Sequence, residues 1–289
     1  MTKHLEAAGT MRWLLLLAVA AAGQAAPVID DVALERGFAA GLARSGVAGL
    51  HGGPATRALA AAEGKTVDLP AVKPAGAVDY EAVCRAVVVI GSVYFCRDCS
   101  QSHMGAVSSG WIAGAEGEVV TNHHVLDDKT AGELGVMTFD GTVYAVLDVL
   151  AADREGDAAI LRIDPAGAAL SALPLSDGVK TGDNIRVIGH PDGRFYTLTE
   201  GIVSRVFTEA ASDEDGTRTW LTVTADYGGG SSGAPVLNEV GEVVGMVSST
   251  AALLADAAEG TEPGAADVQM VFRDCASAET IRGLMKRPE

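Results

Sequence analysis

At 289 residues, 48% apolar and 5% aromatic, the chain can form one large or two ordinary globular domains, and its apolar content excludes a disordered chain. Its 38 acidic and 21 basic side chains give a net charge of -17. That balance argues against a nucleic-acid partner, because phosphate binding needs clustered Lys and Arg, and it names no substrate.

The first segment with a clear pattern is "MRWLLLLAVAAAGQAAP", residues 11 to 27. Arg12 is followed by an apolar run from Trp13 to Ala22 and then by small residues. The run falls short of the roughly 20 apolar residues a bilayer span needs. It has the layout of a signal peptide cleaved after Ala25, with Met11 as an alternative start. A buried N-terminal helix is the competing reading. No second long apolar segment follows, so the mature chain is expected to be exported, periplasmic or extracellular, with no stable membrane insertion.

Residues 26 to 79 are rich in Ala and Gly, with helical patches "VALERGFAAGLA" and "ATRALAAAEG" followed by the Pro-containing "VDLPAVKPAG". They read as a helical leader, pro-region or linker without chemistry of its own. From Tyr80 the texture changes to short β-branched runs between Gly, Asp and Asn turns. Eleven such runs, from "AVVVIGSVYF" to "VQMVF", predict an all-β barrel or sandwich. "SAETIRGLMK", residues 277 to 286, opens on a capping Ser277 and predicts one terminal helix. Two stretches echo one another: "SSGWIAGAEGEVV" (108 to 120) and "SSGAPVLNEVGEVV" (231 to 244). They would suit two similar halves divided near residues 163 to 183, although any hairpin with a Gly turn can look this way.

Four cysteines in an exported chain favour disulfides. The expected pairs are Cys84 with Cys275, and Cys96 with Cys99 of the "CRDC" motif. A zinc site on Cys96, Cys99 and His103 would need a fourth ligand, and no second ligand pair stands at metal spacing, so neither metal nor cofactor is expected. A thiol oxidoreductase built on "CRDC" would need a βαβ context that this strand pattern lacks.

Acyl transfer to water requires a nucleophile, a base, a group that orients the base, and donors for the oxyanion. Three separated places offer them. "VVTNHHVL" ends a strand with two histidines, "REGDAAILRI" sets Asp157 before an apolar strand, and "ADYGGGSSGAPVL" supplies serines among glycines. Taken singly, these are a polar strand end, a turn aspartate and a loop.

Together they resemble the trypsin-like (chymotrypsin-fold) serine peptidases, and most closely the bacterial HtrA-like branch. The family's patterns stand here as "TNHHV", "DAAIL" and "GSSGAP", in the order His, Asp, Ser, separated by 33 and 75 residues. "SSGWIA", "GHPDG", "LTEGIVSRV" and "GEVVGMV" resemble the flanking family segments, so the likeness covers about residues 80 to 285. The resemblance implies two six-stranded antiparallel β-barrels, chymotrypsin-like, within a peptidase domain of residues 80 to 289. The N-terminal barrel would span about 80 to 168, the C-terminal barrel about 178 to 273, and the terminal helix 277 to 286.

The resemblance also assigns roles. His124 would be the base, since Thr121 stands three residues before it, and His123 would face the other way on an extended chain. Asp157 would fix the tautomer of His124, and Ser232, directly before Gly-Ala-Pro, would be the nucleophile. Asp148 and Asp153 lack the strand that follows Asp157 and read as solvated. Gly230 and Ser232 would offer backbone N–H groups to the oxyanion. Asp226, six residues before Ser232, stands where trypsin-like enzymes carry the acid at the base of the S1 pocket. There it would select Lys or Arg; with a different loop length it would only structure the turn. Ser248 and Ser249 are candidates for the pocket wall. The implied activity is that of a serine endopeptidase acting on proteins or peptides. A catalytically weak or inactive homologue acting as a binding protein is the alternative. The 57 residues after Ser232 are too few for the PDZ module usual in this branch, which is therefore not expected.

Overall fold

A computed structural model describes residues 27–74, 79–127, 132–211, 216–255 and 268–286. The expected signal segment lies outside the described residues, among which no helix is long and apolar enough to cross a membrane.

Helix α1, Asp31–Ser45, starts where the Asp30 carboxylate accepts the Ala33 N–H at 2.9 Å. Helix α2 is Gly52–Ala62, and the short α3, Tyr80–Cys84, is capped by Asp79. The first sheet then forms from β1 (Val87–Cys96), β2 (Gln101–Met104), β3 (Ser108–Gly114), β4 (Glu118–Thr121), β5 (Glu133–Met137), β6 (Val143–Asp153) and β7 (Ala158–Ile163), with one helical turn, α4 (His124–Asp127), after β4. Its order is β2-β1-β3-β4-β7-β6-β5, and β1 also pairs with β5. Six strands therefore close into a ring, and β2 stands outside it as a hairpin extension of β1.

The second half contains β8 (Asn184–Gly189), a 3-10 turn at Pro191–Gly193, β9 (Thr197–Ala210), β10 (Thr217–Val223), β11 (Pro235–Leu237), β12 (Val243–Leu254), β13 (Val268–Ser277) and α5 (Ala278–Arg282). These six strands form a closed antiparallel barrel. The expected double barrel with a C-terminal helix is the fold observed. Ser277 caps α5 by accepting the Thr280 N–H, as its position predicted, although the helix is shorter than the expected 277 to 286.

Strands such as β3 and β4 are buried on both faces. Ile112 and Leu161 belong to one cluster within the first sheet and Leu221 and Val236 to one within the second, while Val87, Trp111, Val120, Ile160 and Val243 share a third cluster drawn from both halves. Burying one Val, Leu or Ile side chain contributes about 1.5–3 kcal/mol, so closure of the two rings dominates the apolar term. Closure removes the edges of the rings themselves, and among the described strands of the first sheet β2 keeps an open one.

The leader is more than a linker. The Phe38 ring is fully buried within van der Waals reach of where a Cβ would stand on Gly91 of β1 and Gly135 of β5. Larger residues at those two positions would displace the ring. Leu42, Leu59 and Ala62 are also buried. After α2 the chain runs beside β6, with Gly64 N–H on the Ala152 carbonyl at 3.0 Å. It then pairs with the segment after α5, where Val67 exchanges bonds with Leu284 and Lys286 at 2.9 and 2.8 Å. One strap thus reaches from the first barrel to the C-terminal segment.

Candidate active site

β4 ends at Thr121, and the chain turns helical at His124 instead of staying extended as the sequence suggested. The two histidines still diverge. His123 is buried, with Nε2 2.6 Å from Glu63 Oε1 of the leader and Nδ1 3.4 Å from Asp127 Oδ2. The side chain of His124 is 43% exposed.

Asp157 ends the turn just before β7 with φ at 48°, a left-handed conformation that Asp tolerates better than most residues. Asn122 Nδ2 secures that backbone by donating to the Asp157 carbonyl at 2.9 Å. The carboxylate accepts the His124 backbone N–H at 3.1 Å, and its two oxygens lie 3.0 and 2.9 Å from His124 Nδ1. It also accepts the Ser248 hydroxyl at 2.5 Å. With Nδ1 protonated toward Asp157, Nε2 of His124 is left as the acceptor. Sequence reasoning set Ser248 in a pocket wall, and the structure adds a bond to Asp157 that crosses between the barrels.

The serine loop is tied on both sides. Ser231 N–H donates to Gly228 O at 3.0 Å, Ala234 N–H to Ser231 O at 2.9 Å, and Gly233 N–H to Val247 O at 3.0 Å. Val247 immediately precedes Ser248, so the loop is anchored one residue from the group that touches Asp157. From the first barrel, Ser109 N–H donates to Ser232 O at 2.8 Å and Ser109 Oγ to Gly230 O at 2.9 Å. Thr121 Oγ1 in turn holds the Ser109 carbonyl at 2.9 Å. Gly230 has φ at 94°, and a Cβ there would lie 2.4 Å from His190 O. Gly233 has φ at 87°, and its Cβ would lie 2.0 Å from Ser109 O. Only glycine fits either place. Among the described residues, the N–H groups of Gly230 and Ser232 have no acceptor in the protein, whereas those of Ser231, Gly233 and Ala234 do.

The site thus presents an imidazole oriented by a carboxylate and, in the serine loop, two amide donors without an acceptor among the described residues. Residues 108–246 match the trypsin-like peptidase domain family. This stretch is a trypsin-like peptidase domain. The chain is 32% identical over 153 residues to a Chlamydia pneumoniae protein named probable periplasmic serine endoprotease DegP-like, covering 52% of this chain and 30% of that one. It is 35% identical over 145 residues to the putative serine protease HhoA of Synechocystis sp., covering 48% and 35%. It is 34% identical over 179 residues to the pro-apoptotic serine protease NMA111 of Phaeosphaeria nodorum, covering 57% and 17%. The chain thus spans a third or less of the length of most of these relatives.

Around the peptidase domain's loop, two expectations need correction. Asp226 is not a buried pocket acid: its side chain is 80% exposed and pairs with Arg273 at 2.6 Å. Nor is Asp153 simply solvated, because it binds Arg218 Nε of β10 at 3.0 Å. Asp148 is exposed as expected. Ser249 is also exposed, and its carbonyl accepts the Tyr227 hydroxyl at 3.0 Å.

The expected disulfides are absent, since all four cysteines are free thiols. Cys84 and Cys275 are buried in different core clusters, beside Tyr80 and Tyr227 respectively, and burial pushes each thiol up to about 12. An even cysteine count carries no information about distance, and a bridge needs Cα atoms within about 7 Å. The residues that sequence reasoning left without a role are Ser109, Asn122 and His190. Each lay inside a quoted motif, but only the fold shows what it holds.

Proposed function

We propose that the chain is a serine endopeptidase using His124, Asp157 and Ser232. Asp157 holds His124 in the tautomer with a bare Nε2. That nitrogen accepts the Ser232 hydroxyl proton as Oγ attacks the peptide carbonyl, and later delivers it to the leaving amine. Water then attacks the acyl-enzyme by the same proton path. The N–H groups of Gly230 and Ser232 stabilise the oxyanion, and unspent donors fixed in place beforehand are worth most in such a step. The observation that carries this reading is the Asp157 carboxylate, which takes His124 twice and Ser248 once while the neighbouring loop keeps two N–H groups free.

The substrate class is protein or peptide, in keeping with the names of the relatives. The apolar run from Trp13 to Ala22 followed by small residues supports export, which N-terminal sequencing of the mature chain tests. A fluorophosphonate probe should label Ser232, and Ser232→Ala should lose label and lower kcat by about a million-fold while unfolding at the same temperature. A folded protein whose Ser232 resists the probe would sink the proposal.

A further inference from the structure

The hairpin of β1 and β2 reaches beyond the closed ring. Tyr94 pairs with His103 and Cys96 with Gln101, so Tyr94, Cys96, Gln101 and His103 share one face of the hairpin. The connecting turn, residues 97 to 100, brings Cys99 back over that face. Cys99 Sγ lies 2.9 Å from His103 Nε2, and the ligand atoms of Cys96, Cys99 and His103 all lie within 4.8 Å of one another. The His103 ring packs against Tyr94 with centroids 5.9 Å apart.

We propose that Cys96, Cys99 and His103 bind a thiophilic divalent cation of the zinc class, with a fourth position open to water. Zinc with sulfur at about 2.3 Å and nitrogen at about 2.0 Å in a tetrahedron holds such donors roughly 3.3–3.8 Å apart. The set closes on that geometry by shifts of about an ångström, within reach of side-chain rotation. Two thiolates and an imidazole select zinc-like ions over calcium or magnesium, which take oxygen donors. Cys99 is exposed and Cys96 half-exposed, which leaves an entry path, and both thiols give up their protons on binding. In the sequence these same three residues were weighed and set aside for want of a second ligand pair, whereas one hairpin brings all three donors together.

The ion has a structural task within reach. Tyr94 and Phe95 are 49% and 63% exposed, so little apolar burial secures the tip. A clip across residues 96 to 103 replaces the packing that the tip lacks. A Cys96–Cys99 disulfide is the competing outcome, since it would consume two of the three donors.

Titration of the reduced full-length chain with cobalt(II) decides between them. We expect one cobalt per chain with a thiolate-to-metal charge-transfer band that zinc abolishes. Cys99→Ser should remove the band, and His103→Ala should weaken binding by about tenfold to a hundredfold or more. Zinc should raise the unfolding temperature of the wild type and not of Cys99→Ser, with peptide hydrolysis equal in the two. Absence of the band in the reduced chain, its persistence in Cys99→Ser, or a Cys96–Cys99 disulfide forming as fast with zinc as without would overturn the proposal.

Discussion

Residues 108 to 120 and 231 to 244 share small residues, a strand and an acidic Gly turn, yet they do different work. In the first, Ser108, Ser109 and Gly110 belong to strand β3 and pair with Ile90, Val89 and Val88 of β1. In the second, Ser231, Ser232 and Gly233 form a tight loop before the three-residue β11. The glycines beside it mark the difference. Gly110 is an ordinary strand residue, whereas Gly233 and Gly230 take left-handed angles. The regular segment then serves the irregular one, since the backbone and hydroxyl of Ser109 fix the carbonyls of Ser232 and Gly230. A similar string of letters is a regular strand in one barrel and a glycine-bent loop in the other.

The sharpest way to break the comparison is one methyl group in each segment. Gly233→Ala meets the Ser109 carbonyl at 2.0 Å and adds a left-handed strain of about 1–2 kcal/mol. Hydrolysis of a peptide substrate should fall more than about a hundredfold, because displaced reacting groups cost that much. Gly110→Ala meets Ile90 Cδ1 at 2.8 Å and Val120 O at 2.9 Å without an angular penalty. It should cost about 1–3 kcal/mol in denaturant melts, as overpacked cores do, with far less effect on kcat. Equal kinetic damage from the two would erase the distinction drawn here.

Ser248→Ala tests the brace between the barrels. Loss of a charge-assisted bond worth about 1.5–3 kcal/mol predicts a kcat reduced about tenfold to a hundredfold, with KM little changed. Rescue by Ser248→Thr and a displaced pH profile of kcat/KM would separate orientation of Asp157 from mere packing.

His190 lies where the segments meet: its N–H donates to Ser109 Oγ at 3.2 Å, and its Nδ1 accepts the Tyr196 N–H at 3.0 Å. Burial lowers its imidazole from 6.5 to about 4, so the folded state holds it neutral. Between those values the unfolded chain binds the extra proton. The contribution is therefore complete above pH 6.5 and lost as pH falls toward 4, about 3 kcal/mol in all. Denaturant midpoints across that window should slope, and His190→Gln should flatten the slope.

The smallest effect is expected at Asp226→Asn. An exposed ion pair contributes about 0–1 kcal/mol, and the preference at P1 should stay within about twofold. A P1-scanning peptide library that shows a lost Lys or Arg preference would return Asp226 to the substrate pocket.

Much of the fold was legible because barrel strands announce themselves. "AVVVIGSVYF", "AAILRI" and "NIRVIGH" are β-branched runs between turn residues, and they became β1, β7 and β8. β2 was missed because "QSHM" is polar, short and supported only by its pairing to β1. The leader's helices were visible, but their docking was not. Nothing local tells Phe38 that it will lie on Gly91 and Gly135 from a different part of the chain.

By itself the sequence determined most of the strands and the need for glycine around the serine, and its resemblance to a known family implied the order of His124, Asp157 and Ser232. Strands and glycines are legible in short windows because they express periodicity and backbone freedom. Only the tertiary structure decided that Ser248 reaches Asp157, that Asp226 faces solvent, that Cys84 and Cys275 have separate partners, and that Cys96, Cys99 and His103 converge. Each of those depends on distances between chain segments, which barrel closure and strand register set.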